Sequence, residues 1–82
     1  MVNLLARAEI SEGWTSIVLA ETHLAEGNSA EAIIAIAAAE DHLKSARSLM
    51  EQPDSLLEPL TDLRAKILQV QSLVRRNAAG HA

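Results

Sequence analysis

Few side chains in this 82-residue chain could act as nucleophile, general base or metal ligand. There is no Cys, which excludes thiol catalysis, disulfides and cysteine-ligated zinc. The three histidines are His23, His42 and His81. A metal site built on one helix needs a second ligand three or four positions away, because only those offsets share a face. His23 has Glu26 at i+3, near the end of an apolar-periodic segment, where the two read as a solvated pair. His42 has Ala38, Ala39, Ser45 and Ala46 at those offsets, so it is expected to have no partner. His81 falls in an Ala/Gly tail. Neither HExxH nor ExxH occurs.

Hydroxyl nucleophiles fare no better. The Ser residues occupy polar or capping positions, and no Gly-x-Ser-x-Gly elbow exists to strain one into reactivity. Three separated glycines cannot form a phosphate-cradling loop. Glu40 and Asp41 are adjacent, hence splayed apart on a helix, and belong to a solvated face. The expectation is a chain with no catalytic residue, no cofactor and no metal. Trp14, the single aromatic residue, is the side chain with the strongest claim to an interaction role, since tryptophan is enriched at interface hot spots. Its competing role is that of the core's one large ring, filling a crossing near Gly13.

The elements that would position these residues are helices. The apolar set is 15 Ala, 12 Leu, 6 Ile, 4 Val, 2 Met and Trp14, with no Phe or Tyr. Ala and Leu head the helix scale, and the aromatic residues that strands favour are nearly absent. Two breaks divide the chain, Gly27-Asn28-Ser29 and Gln52-Pro53-Asp54. Glycine just past a periodic run reads as a helix C-cap, and Asn28 with Glu31 has capping-box spacing. Pro53 cannot continue a helix; Asp54 or Ser55 then caps the third segment, and Pro59 shifts its regular start downstream.

Each segment carries helical periodicity. In the first, Ala6, Ile10, Trp14, Ile17 and Leu24 form a stripe, with Glu21 in its missing place and Gly13 as a weak point costing about 1 kcal/mol relative to Ala. The second steps through Ala32, Ile36, Ala39, Leu43, Ala46 and Met50, a seam of alternating small and large residues that lets a neighbour approach closely. The third steps through Leu56, Leu60, Leu63, Ile67, Val70 and Val74, and leaves Leu57, Leu68 and Leu73 off the seam. The predicted architecture is all-α: a single domain, 1–82, folded as a three-helix antiparallel hairpin or bundle with helices over about 2–26, 29–51 and 56–78 and a frayed tail from Ala78. Leu4, Leu5, Leu19, Leu57, Leu68 and Leu73 exceed what one narrow core can hold, so dimerisation is expected.

Charge narrows the partners. Net charge is −4, with Arg75-Arg76 the lone adjacent basic pair. They suit the negative end of a helix, and the chain lacks the basic patch that displaces counterions from nucleic acid. The longest strongly apolar window, Ile33 to Ala39, is far below the ~20 residues of a membrane span. The N-terminus lacks a signal-peptide pattern, so a cytoplasmic location is expected.

Residues 17–44 resemble a tetratricopeptide-type helical hairpin. Leu19-Ala20 matches the family's large-then-small pair, Gly27 its turn glycine, Glu31-Ala32 the acidic-Ala start of its second helix, and Ala39 the following small residue. The sequence departs from the pattern at His23, where the family prefers Tyr, at Ser29, and at Lys44, where a Pro would end the helix. The resemblance covers one repeat and implies a scaffold that binds proteins, not an enzyme. The functional expectation is a non-catalytic interaction or assembly module, self-associating through helical surfaces that include Trp14, Leu57, Leu68 and Leu73. Two alternatives stand beside it: a small-ligand- or metal-sensing bundle or inter-subunit enzyme, and an acidic regulator that masks a basic surface.

Overall fold

A computed structural model describes residues 3–50 and 56–80 of the chain. Three helices account for them: α1, Leu4–Ala25; α2, Ser29–Leu49; and α3, Leu57–Gly80. They pack up-down-up into a rod of 48 × 16 × 15 Å. At ~1.5 Å per residue each helix spans about two thirds of that length.

Helix α1 is continuous through Gly13. It ends where glycine can take a left-handed angle: Gly27 has φ 81°. The Gly27 N–H donates to the Leu24 carbonyl at 3.1 Å and the Asn28 N–H to the His23 carbonyl at 2.8 Å. Those paired bonds are a Schellman ending, and they satisfy carbonyls that the helix leaves open. Asn28 is the N-cap of α2, as its position suggests, but its side chain makes no capping bond. The capping box with Glu31 is therefore not formed. The second break and its candidate caps Asp54 and Ser55 lie outside the described residues. Pro59 does not delay α3. It is the third helical residue, inside the first turn, where an N–H has no intrahelical acceptor to lose. Beyond Asn77 the helix continues to Gly80 instead of fraying at Ala78.

The core is a set of heptad seams. On α2 the buried residues are Ala32, Ile36, Ala39, Leu43 and Ala46, with Met50 packed against them. On α3 they are Leu60, Leu63, Ile67 and Val70, with Leu56 just before the helix in phase with them and Val74 half-buried beside them. Both agree with the hydrophobic periodicity. On α1 the seam differs from the expected stripe. It runs Ala6, Ile10, Gly13, Ile17 and Ala20, so small residues hold the places assigned to Trp14 and Glu21. Trp14 is displaced by one position onto the flank, half-buried and packed against the core. The reason is steric. α1 carries a small residue every seventh position, Ala6, Gly13 and Ala20, and α2 does the same with Ala32, Ala39 and Ala46. Two helices so matched can close to the short end of the 8–10 Å range, which a large ring on the seam would prevent. A Cβ built on Gly13 would lie 2.8 Å from Leu63 Cδ2 and 3.5 Å from His42 Cβ. A side chain at Gly13 would therefore have to displace the buried end of Leu63 at the three-way crossing.

Ala39 is fully buried and Ala38 only half-buried. Ala39→Leu should overpack the crossing and cost about 1–3 kcal/mol. Ala38→Leu, one position around the helix, should cost well under half as much. Urea-denaturation midpoints of the two variants measure the difference, and equal losses would mean that the close seam lies elsewhere on α2.

Candidate functional site

The closest polar constellation among the described residues grows directly out of the α1–α2 crossing. Glu9 and Glu12 stand at i and i+3 on α1, so their side chains leave the same face one turn apart. His42 precedes seam residue Leu43 on α2 and meets that face from the antiparallel neighbour. Its Nδ1–H donates to Glu9 Oε2 at 2.6 Å, and Glu12 Oε2 lies 3.4 Å from the same nitrogen. Glu9 and His42 are 26% and 29% exposed, whereas Glu12 is 63% exposed. Two of the three groups are therefore held by packing and the third faces water. Because an ionised carboxylate can only accept, the short bond places the proton on Nδ1 and fixes the ring's orientation.

His42 was expected to have no partner. It has two, both across the helix boundary, because offsets along one helix do not count neighbours supplied by another. A signal for them exists in the sequence: Glu12 and His42 stand equally far on either side of Gly27, the turn glycine. An antiparallel hairpin closed there sets them at the same level of the two helices. His23 behaves nearer to expectation. Its Nδ1 lies 4.0 Å from Glu26 Oε1, too far for a hydrogen bond, and that buried nitrogen has no protein partner among the described residues. Glu21, the polar interruption of the α1 stripe, reaches across to α3 and pairs with Lys66 at 2.9 Å.

A second feature lies on the other side of α2. A groove of about 550 Å³ runs between α2 and α3, with Glu40, Asp41, Lys44 and Arg47 on one wall and Arg64 and Leu68 on the other. A smaller apolar hollow continues it beside Ile33 and Val74. Of the expected interaction residues, Leu57, Leu68 and Leu73 are 63%, 52% and 37% exposed. Trp14 belongs to α1 and lines neither hollow. Leu4, Leu5 and Leu19 are also exposed, and Ile33 and Ile34 join them. None of the described helices is long and apolar enough to cross a membrane. Comparison with family models, curated proteins and solved structures finds no match to the chain.

The geometry predicts unequal couplings within the polar cluster. A double-mutant cycle on Glu9→Gln and His42→Ala should give an interaction energy of about 1 kcal/mol, in the range for a part-buried charge-assisted bond. The Glu12→Gln and His42→Ala cycle should give less than half of that, since Glu12 is solvated and more distant. Equal couplings by thermal or urea unfolding would refute the assignment of Glu9 as the direct partner.

Proposed function

We propose that this chain is a non-catalytic protein–protein interaction module whose first partner is a second copy of itself. The observation that carries the reading is the exposure of Leu57, Leu68 and Leu73 on α3 after Leu60, Leu63, Ile67 and Val70 of that helix have been used by the core. Completing the burial of such half-exposed side chains is worth on the order of 1 kcal/mol each. For a domain of this size, with total stability of ~5–10 kcal/mol, that is a substantial gain.

Two further features support self-association through the α2–α3 face. Leu68 lines the groove there, at the centre of the α3 apolar flank. The α2 wall runs from acidic Glu40 and Asp41 to basic Lys44 and Arg47. A two-fold axis across that wall sets each acidic pair against the basic pair of the other copy, which fixes register as well as adding attraction. The tetratricopeptide resemblance supports the same class of function. Ala20, Ala32 and Ala39 lie buried between α1 and α2, the use that such hairpins make of their small residues.

Light scattering at tens of micromolar should give a mass near twice 8.8 kDa. Leu68→Glu should return it to the single-chain value and lower the stability, while Leu43→Glu, at a buried seam position, should unfold the chain. A single-chain mass for the unaltered protein would end the self-association reading and leave the exposed leucines to a foreign partner.

A further inference from the structure

We propose that Glu9, Glu12 and His42 form a binding site for a divalent transition-metal ion, with Zn2+ the best fit, which ties α1 to α2. One donor atom from each residue lies within 4.8 Å of the other two. Metal–ligand bonds of ~2.0–2.2 Å in a tetrahedron put neighbouring donors about 3.4 Å apart. The 3.4 Å between His42 Nδ1 and Glu12 Oε2 already has that span. The 2.6 Å between His42 Nδ1 and Glu9 Oε2 must open by under ~1 Å, a small swing of the Glu9 side chain within its rotamer well. On binding, the ion takes the place of the Nδ1 proton: a protonated ring releases that proton to solvent, and a neutral ring passes to the tautomer with its proton on Nε2.

Charge supplies an independent reason. Two carboxylates converge on one imidazole, and among the described residues no Lys or Arg side chain lies within ion-pair distance of either. With His42 neutral the cluster carries two negative charges on a part-buried seam, and with it protonated it still carries one. A dication removes that excess. One nitrogen and two oxygens suit Zn2+ or Co2+ better than Ca2+ or Mg2+, which favour all-oxygen shells of six or more ligands. The close approach at Gly13 holds His42 against α1, so most of the site is organised by packing that the fold needs anyway. Exposed Glu12 forms the entrance, and three protein donors leave a fourth position for water. The site lies on the α1–α2 boundary, separate from the α2–α3 groove, and does not depend on self-association.

Thermal melts of the full chain with Zn2+ alone, in roughly tenfold molar excess, test this. An ion that binds only the folded state should raise Tm by about 5 °C or more. Co2+ in place of Zn2+ should give the visible absorption of a tetrahedral site. Glu12→Gln, at an exposed position, should keep the fold by circular dichroism and lose most of the Tm rise; His42→Gln should lose it entirely; His81→Ala should retain it. No rise for the unaltered chain would overturn the proposal. So would a rise that survives both Glu12→Gln and His42→Gln, or one that vanishes in His81→Ala. Should His42→Gln fail to fold, the Glu12→Gln melt decides alone.

Discussion

The close crossing of α1 and α2 constrains everything else in this molecule. Each helix places a small residue at every seventh position and a large aliphatic one between, so Ala6, Gly13 and Ala20 meet the face bearing Ala32, Ala39 and Ala46. Alanine contributes little apolar area per residue. What such a seam gains is proximity: many dispersion contacts at short range, lost quickly if the helices separate. The bulk of the apolar payload must then come from the third helix. α3 answers with an all-large seam, Leu60 through Val70, extended by Leu56 just before the helix, that packs against the narrow pair. Leu63 is fully buried at the point where Gly13 gives it room. The size pattern of each helix is therefore set by the other two.

Proximity also decides the electrostatics. When backbones approach closely, side chains on the flanks of the seam are brought within reach of one another across the boundary. Glu9 and Glu12 meet His42 from α2, and Glu21 meets Lys66 from α3. These cross-helix pairs differ from exposed pairs along one helix. The short side chains of Glu and His span the gap only because the axes are close, and part-burial protects the bond from screening. The pairs specify register. Sliding α2 by one turn would move His42 from both carboxylates at once and put large residues against the small ones of the α1 seam, where the helices are closest.

Two of the three seams were legible in the sequence because they announce themselves. The α3 seam is entirely large and aliphatic, and the α2 seam alternates Ala with Ile or Leu without a break. The α1 seam was read one position off at two places, because a search for large apolar residues selects Trp14 over Gly13 and leaves a gap at Glu21 beside Ala20. One residue on a helix is about 100° of rotation, enough to carry Trp14 from the seam to its flank. Small residues at seven-residue spacing are the signal that identifies the true face, and α2 displays the same spacing. The polar cluster was missed for a different reason. Its three members come from two helices, and helix periodicity describes neighbours along one helix only. Once Gly27 is taken as the closing turn, Glu12 and His42 stand equally far from it and so at one level of the hairpin, and Glu9 shares the Glu12 face one turn away.

Helix α2 borders both the polar cluster and the groove. Its small-residue seam faces α1, and the next face around carries Glu40, Lys44 and Arg47 along the groove toward α3. His42 belongs to the first boundary and the charged wall to the second, although Asp41 and His42 are adjacent in sequence. Adjacent helical residues point about 100° apart, so neighbours in the chain can serve different surfaces without sharing space. This division explains why α2 has so few large side chains for its length. Ala at the seam keeps α1 near, and short or charged residues on the groove side keep that wall open and solvated. The large apolar residues not buried in the core are left at the margins, in Ile33, Ile34 and Leu49 on α2 and in the flank of α3. A chain with one narrow core and such margins has more apolar surface than three helices can enclose.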